Sequence, residues 1–173
     1  MLTLEAAVLR KPEPDDVPQL YEYRNDEEVT SGLGGFSTGY SKRDMLNWVE
    51  RHDSRTDEVV YVIADRETMR CLGHVGLYNI DSRVRSAEFA ILIGDKQQWG
   101  RGLGQQVSRL LIEYGFRQLN LHRVYLKVLV TNERGIRLYE RLGFRREGVL
   151  RDDQFRNGRY VDVVVMGLLE SEL

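Results

Sequence analysis

The sequence predicts an α+β fold with a mixed, mostly antiparallel sheet of about seven strands and about four helices. Residues 58–94 contain apolar runs of strand length joined by short connections, which favours antiparallel neighbours. Residues 86–130 instead place a helical pattern between two strand patterns, which predicts one parallel crossover. Asn157-Gly158 separates the last two apolar runs and favours the tight turn of a β-hairpin.

The composition is that of one ordinary globular domain, predicted to span residues 1–173. Hydrophobic residues are 42% and charged residues 30% of the 173, enough for a sizeable core. The net charge of −2 gives no general attraction to nucleic acid, and no apolar run approaches the roughly 20 residues of a membrane span. Glu5 interrupts the apolar part of the first residues, so we see no signal peptide and expect a cytoplasmic location.

The region before residue 58 is predicted to contain one strand, two helices and a glycine-rich loop. Asp15 is a favourable N-cap for a helix that extends to about Arg24. Ser41 and Asp44 resemble a capping box, with Asp in place of the usual Glu, that opens a second helix through about His52. The glycines between these helices mark the loop.

The elements after residue 58 are predicted from apolar periodicity and turn residues. Val107, Leu110, Leu111 and Tyr114 recur with helical spacing and define one face of a helix. Gly143 suits the position just past the end of a later helix. The predicted strands are residues 59–64, 71–80, 86–94, 123–130, 145–155 and 159–168, and the later helix is residues 133–142.

A glycine-rich loop precedes the long helix and reads QWGRGLGQQ from Gln98 to Gln106. Free N–H groups at a helix N-terminus bind anions, and glycines let a bulky anion approach the backbone. The spacing matches neither the P-loop nor the dinucleotide-binding fingerprint. We therefore expect a phosphate or pyrophosphate here, while the simpler interpretation is a turn that only joins strand to helix.

Four segments give a more specific match when they are read together. They are SAEFAILIG, QWGRGLGQ, HRVYLKVLVTN and ERGIRLYERLGF. This set resembles the core of the GNAT superfamily of acyl-CoA-dependent N-acetyltransferases, over about residues 73–168. The stretches RSAEF, LNLH and NGRYVDVVVM resemble the branch that contains the spermidine and ribosomal-protein N-terminal acetyltransferases. Trp99 departs from the Gln or Arg of many members.

The resemblance implies acetyl-CoA as co-substrate and a sheet that splays between its fourth and fifth strands. The pantetheine arm is then expected to pair with the backbone of Ile91, Leu92 and Ile93. Asn132 matches a position that contacts the cofactor arm, although Asn is equally suited to cap the helix that follows. The pyrophosphate is expected at the loop residues Trp99, Gly100, Arg101, Gly102, Leu103, Gly104 and Gln105.

Two residues are candidates for the chemistry of acetyl transfer. Glu88 lies in an apolar strand, where a carboxylate is costly unless it is edge-exposed, paired or functional, and it is our candidate base. Tyr139 lies in LYERLGF, and in the family the tyrosine at this position protonates the departing thiolate. The alternatives are a solvent-facing or salt-bridged strand residue for Glu88 and a core tyrosine for Tyr139.

The other reactive side chains give weaker signals. The three histidines are dispersed without metal-ligand spacing, so we expect no metal. Cys71 is the only cysteine and is interpreted as a small packed thiol. Asp152-Asp153 is either a solvated strand end or a pair of carboxylates that attracts a cationic amine.

The acceptor is expected to be a primary amine on a small molecule, such as a polyamine or an amino sugar, or a peptide N-terminus. Residues 24–28 offer carboxylates, yet the loop over 31–40 lacks the acidic cluster of a polyamine site, so we expect spermidine not to be the best substrate. Phe36, Tyr40 and Trp48 either line a pocket or belong to the core. The alternative function is a non-catalytic module that binds coenzyme A, and a homo-oligomer is left open.

Overall fold

A computed structural model describes residues 1–34, 38–52 and 54–173. One eight-stranded sheet has the order β1-β2-β3-β4-β5-β6-β8-β7. Its strands are β1 Leu2–Thr3, β2 Ala7–Arg10, β3 Val59–Asp65, β4 Cys71–Asp81, β5 Ser86–Ile93, β6 Arg123–Leu129, β7 Arg145–Arg156 and β8 Arg159–Leu169. The five α-helices of the described residues are α1 Val17–Asn25, α2 Glu27–Thr30, α3 Lys42–Arg51, α4 Leu103–Gln118 and α5 Glu133–Arg141.

The fold class is confirmed, with one more strand and one more helix than expected. The first strand is divided because Leu4 N–H bonds to Ala7 C=O, which turns the chain between β1 and β2. The additional helix α2 has only four residues, too few to show a helical period. Asp26 caps it by accepting a hydrogen bond from the N–H of Val29.

The sheet opens between its only parallel pair in the described chain. β5 and β6 pair only from Ser86 with Arg123 to Glu88 with Tyr125. Beyond that point β5 stays paired with β4 and β6 stays paired with β8. A V-shaped gap therefore separates residues 89–93 from residues 126–129, as the family resemblance implied.

Helices cover both faces of the sheet and build two apolar clusters. One cluster contains α4, whose Val107, Leu111 and Ile112 are fully buried, together with Ile136 of α5. The other contains residues of α1, α2 and α3 packed on the opposite face. The gap lies between these two layers, so a molecule inserted into it meets helices from both sides.

The β7–β8 hairpin has the predicted turn. Asn157 and Gly158 both have positive φ, 49° and 75°, as a type I′ turn requires. Within the described part of the chain, no helix is long and apolar enough to cross a membrane.

Candidate active site

A cleft of about 1070 Å³ occupies the gap between β5 and β6 and extends toward α1 and α2. It brings together eleven of the thirteen residues singled out from the sequence: Glu88, Ile91, Leu92, Ile93, Trp99, Gly100, Gly102, Gly104, Gln105, Asn132 and Tyr139. Arg101 and Leu103 do not line it. Arg101 is exposed, and the side chain of Leu103 is buried in the core, so Leu103 has only its backbone N–H available to a ligand.

The glycine loop presents a run of free backbone donors. Within the described residues, no N–H from Gly100 to Gln105 donates a hydrogen bond, and the first helical bond runs from Gln106 N–H to Gly102 C=O. Gly100 and Gly102 have φ of +77° and +83°, in the left-handed region that favours glycine. The loop thus fits a pyrophosphate by chemistry and by shape.

Trp99 ties the beginning of this loop to the end of β5. Its indole N–H donates to the carbonyl of Ile93 at 2.9 Å. The guanidinium of Arg134 lies 5.3 Å from the centroid of the Trp99 ring. Trp99 therefore connects the loop to the end of β5, and Arg134 places a positive charge beside the Trp99 ring.

The backbone of β5 offers alternate residues to the gap. Gly94 N–H donates to the carbonyl of Leu72, so in this register the N–H and C=O groups of even-numbered residues of β5 face β4 and those of odd-numbered residues face β6. By this alternation Ile91 and Ile93 face the gap, whereas the polar backbone groups of Leu92 face β4. The carbonyl of Ile93 already accepts from Trp99, so Ile91 is the residue with both groups open to a ligand.

Tyr139 lies in α5 beside the gap and is only partly buried. Its ring packs edge-on against Phe89 and Phe144, with centroids 6.3 and 5.9 Å away. No described residue hydrogen-bonds to its hydroxyl. Burial raises the pKa of Tyr139 to about 12, so the phenol keeps its proton throughout the neutral range.

Glu88 is held on the face of β5 that carries α1–α3. Its Oε2 accepts a hydrogen bond of 3.0 Å from the side-chain amide of Asn79, and within the described chain no cation pairs with it. Ala90, two residues further along the same face, is exposed to the cleft. The carboxylate is thus fixed in position and retains lone pairs for a ligand.

Asn132 caps α5, as predicted, and also makes a second contact. Its Oδ1 accepts from the N–H of Gly135 at 2.9 Å, and its Nδ2 donates to the carbonyl of Gly32 at 3.2 Å. Arg156 of the β7–β8 hairpin donates to the neighbouring carbonyl of Ser31 at 2.6 Å. The segment after α2 is therefore anchored to α5 and to the hairpin.

The acceptor side of the cleft contains Arg24 and Gln154, which the sequence did not single out, and Asp153, which it did. Arg24 lines it, and its guanidinium donates to the hydroxyl of Tyr40 at 2.6 Å. Asp153 and Gln154 of β7 also line it, so one of the two candidate aspartates is placed where a cation could meet it. The partner of Arg24 lies 16 positions away in the sequence, so no local pattern signals this contact, whereas Gln154 donates to its neighbour Asp153.

The remaining candidates lie away from the cleft walls. Tyr40 and Trp48 pack against the cluster of α1–α3, which favours their interpretation as core residues, and Phe36 lies outside the described residues. Cys71 is buried, and burial raises the pKa of its thiol to about 12, in agreement with a packed structural cysteine. No group of metal-ligating side chains occurs in the described residues.

Comparisons with known proteins agree with this geometry. A family model described as an acetyltransferase (GNAT) domain matches residues 7–145. The uncharacterized N-acetyltransferase p20 of Bacillus licheniformis is 34% identical over 173 residues, which cover 99% of this chain and 97% of the relative. The spermidine N(1)-acetyltransferase of Vibrio cholerae is 34% identical over 165 residues, which cover 95% and 93%.

A solved structure is similar over the whole length. The crystal structure of spermidine N-acetyltransferase from Vibrio cholerae in complex with CoA and spermine has a TM-score of 0.89 and 31% identity, and the match covers 98% of each chain. The fold and the cleft define an acyltransferase that uses an acyl-CoA. More particularly, the chain belongs to the GNAT acetyltransferase family and catalyses acetyl-CoA-dependent acetylation of amines.

Proposed function

We propose that this N-acetyltransferase binds acetyl-CoA in the gap between β5 and β6 and transfers the acetyl group directly to a primary amine held on the α1–α2 side of the cleft. The observation that supports this proposal is that Glu88 and Tyr139 line the same cleft as the free N–H groups of the glycine loop. One wall thus supplies a base and the other an acid.

The chain offers a complete set of contacts for acetyl-CoA. The N–H groups of residues 100–105 bind the pyrophosphate, and Arg134 adds positive charge next to them. The carbonyl of Ile91 accepts a hydrogen bond from the pantetheine arm, and the carbonyl of Ile93 stays with Trp99. Acetyl-CoA supplies the electrophilic carbonyl carbon and a thiolate leaving group.

Glu88 acts as the base in this proposal. An amine is protonated at neutral pH and attacks only after it loses a proton. The carboxylate accepts that proton, directly or through a water molecule. Asn79 keeps the carboxylate in place during the transfer.

Tyr139 acts as the acid on the opposite wall. Its phenol donates a hydrogen bond and then the proton to the departing sulfur, which makes the thiol a better leaving group. The N–H of Ile91 faces the gap and donates to the negative charge that develops on the carbonyl oxygen.

The names of the relatives indicate the first class of acceptor amine to test. Two of the similar proteins are named for spermidine, so polyamines are one class to test. Amino sugars and peptide N-termini are the other primary amines of suitable size. All three share the ammonium group that Glu88 is placed to deprotonate.

The direct test is amine-dependent release of the coenzyme A thiol. We expect release with at least one member of a panel of polyamines, amino sugars, nucleotide-linked amino sugars and short peptides, and a stoichiometric acetylated amine by mass spectrometry. Binding of acetyl-CoA without release with any amine supports the alternative, a non-catalytic coenzyme A-binding module.

A further inference from the structure

The acceptor side of the cleft contains a guanidinium that has no counter-ion within the described part of the chain. Arg24 is half-buried, and its partner is Tyr40, whose hydroxyl accepts at 2.6 Å and whose ring centroid lies 4.7 Å from the Arg24 Cζ. Among the described residues no carboxylate lies within ion-pair distance of it. Partly buried arginines of this kind usually pair with an oxyanion, because the desolvated charge is otherwise costly.

Two of the three acidic residues that follow Arg24 in the sequence pair with a lysine. Asp26 and Glu28 both bind the ammonium of Lys96, at 2.8 and 2.6 Å. Asp26 additionally caps α2. The two carboxylates therefore share one counter-ion inside the chain, which leaves a single negative charge for the three groups together.

The sheet beneath Arg24 carries neutral side chains. Burial, with a smaller contribution from the Arg24 charge, lowers the pKa of His74 to about 3, so this imidazole is uncharged at neutral pH. Burial raises the pKa of Tyr78, which therefore stays a phenol. Glu88, directly opposite Tyr78 in the β4–β5 pairing, is the carboxylate on the same face.

We propose that the acceptor of this enzyme carries an oxyanion, a carboxylate or a phosphate, in addition to its primary amine. Arg24 binds the oxyanion through charge-assisted hydrogen bonds while the amine lies at Glu88. The inference rests on the proposed function of the cleft and names its substrate class. A polycation in the same orientation places a second ammonium near the guanidinium, where like charges repel, so the same residue selects against polyamines.

The test uses acceptor pairs that differ only in the anion. One pair is glucosamine 6-phosphate and glucosamine, another is an α-amino acid and its carboxamide, and spermidine is the polycationic reference. We expect the anionic member of one pair to have a kcat/KM about 10- to 100-fold above its neutral partner and above spermidine. The pair that shows the preference distinguishes phosphate from carboxylate.

Two variants assign the preference to Arg24. Arg24→Gln should reduce kcat/KM for the anionic acceptor to the level of the neutral partner and raise the relative use of spermidine, with acetyl-CoA affinity unchanged. Arg83→Gln, the same charge change at an exposed turn away from the cleft, should keep the wild-type preference. A melting temperature for each variant accounts for any loss of folded protein.

The outcomes distinguish a failure of the proposed acetyl transfer from a failure of the proposed oxyanion site. Turnover of spermidine or of neutral partners that equals or exceeds turnover of anionic acceptors overturns the oxyanion assignment alone. A preference for anions that survives Arg24→Gln overturns the role of Arg24. No turnover with any acceptor overturns the proposed function, and this inference with it.

Discussion

The side-chain amide of Asn132 donates a hydrogen bond of 3.2 Å to the carbonyl of Gly32, and these residues are 100 positions apart in the sequence. Asn132 begins α5, the helix that carries Tyr139, whereas Gly32 follows α2 on the acceptor side. The contact is tight, because a Cβ added to Gly32 lies 2.6 Å from the Asn132 Nδ2. One amide thus connects the two halves of the cleft.

Replacing Asn132 with serine separates its two contacts. Serine caps a helix about as well as asparagine, but its short side chain does not reach Gly32. We expect Asn132→Ser to keep the melting temperature and to raise the KM for the acceptor about 3- to 10-fold, the size of one lost hydrogen bond. Steady-state kinetics and a thermal melt on one preparation check this.

Asn132→Ala is the matched variant, because it removes both contacts. It should show the same rise in acceptor KM and, in addition, lose about 1 kcal/mol of stability from the missing cap. An unchanged acceptor KM in both variants would show that the contact to Gly32 has no part in acceptor binding.

Gly102→Val tests the glycine loop. Gly102 has φ of +83°, and a Cβ there meets only the Gln106 side chain at 4.0 Å, so the added side chain is strained without clashing inside the free protein. A ligand that approaches the backbone meets the new side chain. We expect the Kd for acetyl-CoA to rise at least about tenfold, measured by calorimetry on folded protein.

Gly158→Val supplies the control for backbone strain. Gly158 has φ of +75° in the hairpin turn and open space around it, so its substitution carries a similar strain of roughly 1–2 kcal/mol away from the cleft. It should lower stability and keep acetyl-CoA affinity. Equal acetyl-CoA affinities of the two variants would show that the glycine loop is not part of the binding site.

Glu88→Gln tests the base. Glutamine still accepts the hydrogen bond from Asn79, but it does not accept a proton from the amine. We expect kcat/KM near neutral pH to fall about 10²- to 10⁴-fold. The difference in kcat/KM between variant and wild type should shrink as pH rises toward the pKa of the acceptor amine, because the free amine then forms without a base. A deficit independent of pH, or none, contradicts the assignment.

The buried imidazole of His74 predicts a loss of stability in mild acid. Its pKa is lowered to about 3 in the folded chain, whereas an unfolded histidine titrates near 6.5. Between these values the unfolded state binds the additional proton, so the free energy of unfolding falls as pH falls. Between pH 7 and pH 5, the titration of His74 lowers the free energy of unfolding by about 2 kcal/mol.

His74→Leu removes the titrating imidazole and puts an apolar side chain of similar volume in its place. Between pH 7 and pH 5, we expect the free energy of unfolding of the variant to fall by about 2 kcal/mol less than that of the wild type. Urea unfolding at each pH measures this difference. An identical pH dependence in the two proteins would assign the acid sensitivity to other groups.

The cofactor side of the cleft was predictable because its signals are local. The glycine loop lies between a strand and a helix, and Tyr139 lies within a short helical motif, so contiguous residues carry the information. The family resemblance is closest over the same region, residues 73–168. The structure corrects the prediction for Leu92, whose polar backbone groups face β4, whereas those of Ile91 face the gap.

The acceptor side was less predictable because its contacts are non-local. Arg24 meets Tyr40 from the far side of a glycine-rich loop, and Lys96 pairs with Asp26 and Glu28 from another part of the chain. The short α2 has no period to recognise. The acidic run at residues 24–28 therefore seemed fully available to a cation, although the fold pairs Asp26 and Glu28 with Lys96.

Tyr139→Phe tests most directly whether the cleft performs acetyl transfer with Tyr139 as its acid. The ring that packs against Phe89 and Phe144 is kept, and only the hydroxyl, which no described residue binds, is removed. We measure kcat, the Kd for acetyl-CoA and the melting temperature on one preparation. The account predicts a kcat about 10²- to 10⁴-fold below wild type, with affinity and melting temperature little changed. Wild-type kcat in the folded variant contradicts it and leaves Tyr139 as a packing residue.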